Sequence, residues 1–146
     1  MFYSPLRYPG GKGKLELFME LMIKKLDHVG GVYIEPFAGG AGIAMGLLEN
    51  DLVRDVVIND LDKGIYSFWR AALSETDRFF EEIMNVPLTM DEWRRQRNIC
   101  FNNNRKYSYE LGFATFYMNR TNRSGIIKGG VIGGQEQQGI WKLDAR

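Results

Sequence analysis

Cysteine and histidine are nearly absent from the sequence, which has one of each, Cys100 and His28, among 146 residues. A single cysteine cannot form an internal disulfide, which favours a reducing cytoplasm. One histidine and one cysteine do not make a His/Cys metal site, so we expect no bound metal. No apolar run approaches the roughly 20 residues that span a bilayer, and the N-terminus lacks the layout of a signal peptide. These absences predict a cytoplasmic protein without a membrane segment.

The composition is balanced, but the charge is unevenly distributed. Apolar residues make up 45% of the chain and charged residues 25%, as in a folded globular domain. Residues 1–90 carry nine Lys and Arg against 13 acids, whereas residues 91–128 carry eight Lys and Arg against three acids. A basic block on a nearly neutral chain indicates a surface for a polyanion. A solvated helical surface would show the same charges, so charge alone leaves both interpretations open.

Strand and helix patterns alternate in the first 76 residues. Apolar residues at helical spacing predict a helix over residues 15–26. Short β-prone runs at residues 32–35 and 56–58 enclose a glycine-rich turn and a helix that starts near Ile43. A further apolar helix follows the second run. This order is the start of an α/β fold with a parallel sheet, so the fold class that we predict is α/β.

From residue 77 the pattern becomes helical. Thr89 and Glu92 have the spacing of a capping box, which predicts the start of a helix. After Arg120 the chain is rich in glycine, with β-prone residues between the glycines, and this predicts a hairpin or a mobile loop. We therefore divide the chain into an α/β part, residues 1–76, and a helical and hairpin part, residues 77–146.

The segment from Glu35 to Gly42, at the end of the first predicted strand, carries the strongest chemical signal. Its glycines allow close approach of a ligand to the backbone, and the next helix offers free N–H groups at its N-terminus. Asp60 ends the second predicted strand, about 20 residues further on, where an acid hydrogen-bonds a ribose diol. The segment therefore predicts an adenosine-containing cofactor. A tight turn without a ligand is the alternative.

Two features of the glycine segment favour S-adenosylmethionine over NAD. The third glycine of the dinucleotide fingerprint is missing, and Glu35 would lie close to a pyrophosphate. A cofactor with a positive sulfonium and an amino group tolerates an acid there much better. The candidate cofactor residues in this part of the sequence are Glu35, Pro36, Phe37, Gly39, Gly40, Gly42 and Asp60.

A second glycine motif, residues 5–12, lies near the N-terminus. Its lysine, Lys12, follows two glycines and opens a helix, so its ammonium could reach a carboxylate such as a methionine-type tail. Gly13 stands where a P-loop has Ser or Thr, so an ATPase is disfavoured. An ordinary N-terminal loop is the alternative. The candidate residues of this motif are Tyr8, Gly10, Gly11 and Lys12.

A third segment, residues 116–130, mixes amide, hydroxyl and basic side chains with glycines. Such groups suit phosphate contacts and readout of base edges in DNA. A solvated loop has the same composition and is the alternative. The candidate DNA-binding residues are Asn119, Arg120, Asn122, Arg123, Ser124 and Lys128.

Together these segments resemble the Dam-type DNA adenine methyltransferases. Arg7 to Lys12 resembles the N-terminal motif of that family, Glu35 to Gly42 its first cofactor motif, and Ile58 to Asp62 its second. Residues 116–130 resemble the stretch that leads into its DNA-contacting hairpin. The resemblance implies a partial Rossmann-like S-adenosylmethionine-dependent fold with a helical DNA-recognition insertion, and double-stranded DNA as substrate. It also places Tyr8, Lys12, Asp60 and the glycine segment around the cofactor.

The catalytic motif of that family, Asp-Pro-Pro-Tyr, is absent. The four prolines, Pro5, Pro9, Pro36 and Pro87, are never adjacent, so we assign no catalytic residue. In the family this motif follows the DNA-reading region, and we therefore expect a truncated or split enzyme. A C-terminal half and a restriction endonuclease are its candidate partners. With two strands only, we also expect exposed apolar sheet edges and self-association.

The leading function is methyl transfer from S-adenosylmethionine to the exocyclic amine of adenine in DNA. A non-catalytic module that binds S-adenosylmethionine, DNA or both is the first alternative. A nucleotide-dependent oxidoreductase is the second, and it would require turnover of a nicotinamide cofactor.

Overall fold

The computed structural model describes residues 4–7, 11–102 and 107–134. Contacts divide the chain into two units, Met1–Asp60 and Leu61–Arg146. Residues 61–76 therefore associate with the second unit by contact. The predicted division after residue 76 separates cofactor binding from DNA recognition. It concerns function and not contacts, and it stays a prediction.

In its described residues the first unit contains two α-helices and two strands. The strands pair in parallel, with Tyr33 opposite Val56 and Glu35 opposite Ile58, so both strands end at the same edge of the sheet. This order of elements confirms the predicted α/β start. Its elements are a short 3-10 turn (Lys12–Leu15), α1 (Glu16–Lys25), β1 (Gly31–Glu35), α2 (Gly42–Glu49) and β2 (Val53–Ile58).

The apolar core of the first unit forms between α2 and the sheet. It consists of Ile43, Leu47, Leu52 and Val53, all buried. The partly buried side chains of Met19 and Ile23 in α1, Tyr33 in β1 and Val56 in β2 pack against it.

The predicted helix over residues 15–26 is confirmed, but the side that packs differs from its most regular apolar side. The side chains of Leu15, Phe18 and Leu26 are about half exposed, and α1 has no fully buried residue. Met19 and Ile23 contact the core instead. Helical spacing predicts that one side is apolar, but two adjacent sides of α1 are apolar and only the tertiary contacts choose between them.

One face of the sheet is apolar and exposed. Val32, Ile34 and Val57 are 50%, 62% and 51% exposed, while Tyr33, which points to the opposite face, packs on the core. Among the described residues each strand has a hydrogen-bonded neighbour on one side only. The exposed apolar residues thus lie on a face of the sheet, and the predicted exposed apolar sheet edges stay a prediction.

The second unit is helical in its described part. α6 lies at its centre, since eleven of its thirteen residues are buried. Its elements are α3 (Lys63–Ser74), α4 (Thr76–Asn85), α5 (Met90–Asn102), α6 (Tyr109–Thr121) and a 3-10 turn (Arg123–Gly125).

Close approach and aromatic packing hold the helices of the second unit together. A Cβ on Gly112 of α6 would collide with the backbone carbonyl of Ser67 in α3, so glycine allows the two helices to touch. Phe68 stacks on Phe116 with ring centroids 5.9 Å apart, and Phe79 meets Phe116 edge-on at 5.5 Å. Aromatic pairs at these separations add to the free energy gained by burying their area.

Side chains cap the helix starts. The Oδ1 of Asp62 accepts hydrogen bonds from the Gly64 and Ile65 N–H groups at the start of α3. The predicted helix start at Thr89 is confirmed, because its Oγ1 accepts a hydrogen bond from the Glu92 N–H at 3.2 Å. The Glu92 carboxylate, however, binds Arg95 and Gln96 rather than completing a capping box.

Candidate cofactor site and DNA-facing loop

A glycine turn connects β1 to α2 at the carboxyl end of the sheet. Gly39 and Ala41 both adopt left-handed backbone conformations, with φ of 51° and 48°. Gly40 is fully packed, since a Cβ at this position would collide with the Ser4 hydroxyl. The turn is thus compact and leads directly into the N-terminus of α2, which begins at Gly42.

Asp60 connects this turn to the end of the second strand through a hydrogen bond. Its Oδ2 accepts a hydrogen bond from the Gly39 N–H at 2.7 Å. The backbone continues the connection, because the Ala38 N–H donates to the Asn59 carbonyl at 2.9 Å and the Asn59 N–H donates to the Glu35 carbonyl at 3.0 Å. Ligands of parallel α/β sheets bind at this end of the strands, so the turn and Asp60 form a candidate cofactor site.

Glu35 and Lys12 form an ion pair at the same end of β1. The Lys12 Nζ lies 2.6 Å from Glu35 Oε1, and it also donates to the Phe37 carbonyl at 2.8 Å. The Glu35 side chain is only 4% exposed, whereas that of Lys12 is 43% exposed. Burial, and secondarily the charge of Glu35, raises the pKa of Tyr33. The pair places a positive and a negative group side by side next to the glycine turn.

The predicted cofactor residues thus come together in part. Lys12 contacts Glu35, and Gly39 contacts Asp60. Their contacts with a cofactor stay a prediction. Gly40 is buried, and Gly42 is half-buried. Gly11, Pro36 and Phe37 are exposed beside the pair. Tyr8 and Gly10 lie outside the described residues.

A closed loop, residues 122–131, follows α6 in the second unit. Asn122 and Val131 form an antiparallel bridge, and the Arg123 N–H donates to the Gly130 carbonyl at 3.0 Å. The predicted hairpin is therefore a short loop closed at its neck by one bridge. We call residues 122–131 the 122–131 loop.

The six predicted DNA-binding residues divide into an outer and an inner set. Arg123, Ser124 and Lys128 are exposed, and Arg120 is half-buried. Asn119 and Asn122 are 1% and 0% exposed. Burial thus removes two of the six from the surface, because these amides cannot reach a base in this conformation.

Both buried asparagines donate hydrogen bonds inside the loop. The Asn119 Nδ2 donates to the Gly125 carbonyl at 2.8 Å, and the Asn122 Nδ2 donates to the Ile126 and Ile127 carbonyls at 2.9 and 3.0 Å. A polar residue at the end of a helix looks the same in sequence whether its side chain faces water or caps a loop. Because α6 is buried on nearly all sides, the asparagines at its end face the loop and not water.

Ion pairs neutralise much of the basic charge on α5. Arg94 pairs with Asp91 at 2.8 Å and Arg95 pairs with Glu92 at 2.7 Å. The hydrogen bond from Arg95 lowers the pKa of Glu92, although partial burial opposes the shift. Arg97 instead lies over the Phe101 ring at 4.6 Å. The basic block that the sequence shows is thus partly a set of local pairs, and its exposed charge is concentrated on fewer residues.

A cleft of about 670 Å³ opens in the second unit beside the 122–131 loop. The motifs in the sequence do not indicate it, because its walls come from segments far apart along the chain. Burial raises the pKa of the Cys100 thiol in its wall to about 12, so that this cysteine is protonated at neutral pH. The lining includes Lys63, Cys100, Phe101, Thr115, Ile126 and Lys128.

The described residues form neither a metal-binding group nor a membrane-spanning helix. No three His, Cys, Asp or Glu side chains gather there as a metal-binding group. Across the same ranges, every helix is too short or too polar to cross a bilayer.

The family model of the D12 class N6 adenine-specific DNA methyltransferases matches residues 8–129. The match covers most of the chain, including both the glycine turn and nearly all of the 122–131 loop. The chain therefore belongs to this family of methyltransferases. By their description, the members of this family methylate adenine in DNA.

The chain is also similar to the type II methyltransferase M.MjaIII of Methanocaldococcus jannaschii. The two are 28% identical over 96 residues, which is 62% of this chain and 33% of that protein. The chain thus spans about a third of the length of this relative.

Proposed function

We propose that these residues form the cofactor- and DNA-binding part of an enzyme that methylates the exocyclic amine of adenine in double-stranded DNA, with S-adenosylmethionine as donor. In this proposal residues 1–76 begin a Rossmann-like methyltransferase fold and residues 77–146 recognise DNA. The observation that carries it is the bond between Gly39 and Asp60 at the carboxyl ends of two parallel strands.

The charges at the candidate site suit an amino-acid tail and a ribose. When bound, S-adenosylmethionine supplies the methyl group on its sulfonium. The Lys12–Glu35 pair offers a positive group to a carboxylate and a negative group to an amine. The Asp60 carboxylate accepts hydrogen bonds, as a ribose diol requires. A buried acid such as Glu35 disfavours a pyrophosphate, so a nicotinamide cofactor fits poorly.

The exposed residues of the 122–131 loop are suited to DNA. Arg123 and Lys128 place two positive charges on its outer side, and Ser124 adds a hydroxyl between them. Arg and Lys neutralise phosphates, and their hydrogen bonds to base edges supply specificity. We therefore assign DNA contact to these three residues and internal support to Asn119 and Asn122.

Methyl transfer also needs polar groups that hold the adenine amine and a ring that stacks on the extruded base. The 146 residues contain no Asp-Pro-Pro-Tyr segment, and we assign that step to none of them. The chain itself is assigned cofactor binding and DNA binding.

Calorimetric titration with S-adenosylmethionine tests the cofactor assignment, with NAD and ATP titrated in parallel. We expect saturable binding of S-adenosylmethionine and none of the other two, because only the first carries an amino-acid tail without a phosphate. Circular dichroism of the same sample shows whether it is folded. A folded chain that binds NAD more tightly than S-adenosylmethionine would refute the assignment.

Fluorescence anisotropy with a labelled duplex pool of randomised centre tests the DNA assignment. We expect binding that weakens with salt, since counterions are released from the phosphates. A double variant, Arg123→Gln with Lys128→Gln, should weaken it and reduce the salt slope by about two phosphate contacts. The matched control changes two exposed cations of the first unit, Lys24→Gln with Arg54→Gln. Equal effects of the two double variants would show that only net charge matters.

A further inference from the structure

The side chain of Asn122 has a hydrogen-bond partner at every polar position. Its Oδ1 accepts from the Trp93 indole N–H of α5 at 2.8 Å, and its Nδ2 donates to the Ile126 and Ile127 carbonyls at 2.9 and 3.0 Å. Its backbone N–H donates to the Met118 carbonyl and so ends α6. One buried residue thereby joins α5, the end of α6 and the far side of the 122–131 loop.

These bonds allow the Asn122 amide only one orientation. If its oxygen and nitrogen were exchanged, an N–H would face the Trp93 N–H and an oxygen would face two carbonyl oxygens. The bond to Trp93 is buried and the bonds to the two carbonyls are partly buried, and an unpaired buried polar group is unfavourable by about 1–3 kcal/mol. The loop can therefore not rotate about its neck without breaking several hydrogen bonds at once.

The loop displays its polar and basic residues outward because its interior is held in this way. Arg123, Ser124 and Lys128 lie on the exposed side, while Asn119 and Asn122 bind carbonyls from within. The same arrangement also sets the loop relative to α5, since Trp93 is part of that helix. The sequence around the loop does not show this connection to α5, because Trp93 lies 29 residues before Asn122.

We infer that Asn122 is a positioning residue for DNA recognition, which holds the 122–131 loop in its DNA-binding conformation through the indole of Trp93. It does not touch DNA. This inference rests on the proposed DNA-binding function of the loop. A loop that is ordered before DNA arrives loses less conformational entropy on binding, so the affinity for DNA is higher than that of a loose loop.

Two variants remove the hydrogen bond between Asn122 and Trp93, one at each residue. Asn122→Leu has nearly the same shape and charge but removes every side-chain hydrogen bond. Trp93→Phe retains one aromatic ring in the core and removes the indole N–H together with the second ring. The matched control is Asn98→Leu, because Asn98 is an exposed asparagine of α5 whose partner is Asn102. Each protein is titrated with the labelled duplex pool and, separately, with S-adenosylmethionine.

We expect both variants to weaken DNA binding about tenfold, which corresponds to a competent loop population of roughly one in ten. Affinity for S-adenosylmethionine and the effect of Asn98→Leu should stay unchanged. Arg123→Gln should lower the affinity for DNA less in the Asn122→Leu protein than in the wild type. In the Asn122→Leu protein the Arg123 guanidinium is already misplaced, so its removal changes DNA binding little. Amide exchange of Arg123 should become faster, since its N–H closes the loop neck.

Several outcomes would overturn the inference. Wild-type DNA affinity in folded Asn122→Leu and Trp93→Phe proteins would show that the loop needs no such support. Parallel losses of cofactor affinity and DNA affinity would show a general stabilising role. If Asn122→Leu does not fold, the DNA affinity of Trp93→Phe alone tests the inference. If the wild-type chain binds no duplex, the proposed DNA function fails and this inference falls with it, whereas DNA binding that ignores both variants refutes the inference only.

Discussion

Asp60 and Gly39 are 21 residues apart in sequence, and the Asp60 carboxylate accepts a 2.7 Å hydrogen bond from the Gly39 N–H. This bond connects the end of β2 to the turn that follows β1. It also supports Gly39 in its left-handed conformation. Asp60 therefore has a structural role in the turn besides the cofactor contact that we propose for it.

The two roles of Asp60 can be separated by Asp60→Asn. The amide oxygen can still accept from Gly39, but a neutral group binds ribose hydroxyls more weakly than a carboxylate. We expect S-adenosylmethionine affinity to fall about tenfold or more, with little change in melting temperature. Calorimetry and thermal unfolding measure the two effects. The control is Asp55→Asn on the same strand, and equal cofactor affinity in both variants would contradict the ribose contact.

The Lys12–Glu35 pair should stabilise the first unit. In Lys12→Met the Glu35 carboxylate remains buried without its cation, which should lower the free energy of unfolding by about 1–3 kcal/mol. Because Lys12 is 43% exposed, solvent screening favours the lower end of this range. Urea unfolding measures the change.

Its control is Lys24→Met, which breaks the exposed pair with Glu20 and should cost only about 0.5 kcal/mol or less. Adding Glu35→Gln to Lys12→Met should recover part of the loss, since the buried charge is then gone. An additive double variant would show that the two side chains are not coupled.

Cys100 should be unreactive in the folded chain. Its pKa is raised by burial from 9.0 to about 12, which lowers the thiolate fraction at neutral pH by about a thousandfold. Alkylation with iodoacetamide, followed by mass spectrometry, should be much slower in buffer than in urea. The chain has one cysteine, so the Cys100→Ser variant should take up no label. Similar rates in buffer and urea would contradict the burial of this thiol.

Glu92 should contribute to the loss of stability in acid. Its pKa is lowered below 4.5 by the hydrogen bond from Arg95, so the unfolded state binds a proton more readily than the folded state. This stabilisation is fully present above pH 4.5 and disappears as the pH falls through the lowered value. Urea unfolding at several pH values should show a shallower acid dependence in Glu92→Gln. Asp91→Asn, at the exposed neighbouring acid, is the control and should leave the dependence nearly unchanged.

The exposed face of the sheet should promote self-association. Ile34 and Val57 are register partners on this face and are 62% and 51% exposed. Exposed apolar surface of this kind favours association. Ile34→Thr with Val57→Thr should shift the sedimentation coefficient toward that of the monomer while cofactor binding persists. The control is Leu17→Gln at an exposed position of α1, which should leave self-association unchanged if the sheet face is responsible for it. A wild-type chain that is monomeric at high concentration would disprove the prediction.

Local sequence patterns predicted the glycine turn, whereas the ribose contact of Asp60 stays a prediction. Turn chemistry depends on neighbouring residues, so the turn, the strand before it and the helix after it could be recognised without knowledge of the tertiary structure. The side of α1 that packs was not predicted, because apolar residues lie on two adjacent sides of this helix. The burial of Asn119 and Asn122 was also not predicted, since polarity alone does not distinguish a buried capping amide from an exposed one.

The sequence by itself determined the order of elements, the α/β start, the helix start at Thr89 and the motifs of the methyltransferase family. Each depends on residues close together in the chain, whose propensities and hydrogen bonds act locally. Only the tertiary structure decided that Lys12 pairs with Glu35, that Asp60 holds Gly39, and that Trp93 supports the 122–131 loop through Asn122. These contacts join residues 21 to 29 positions apart, and which distant polar groups meet depends on how the apolar faces pack.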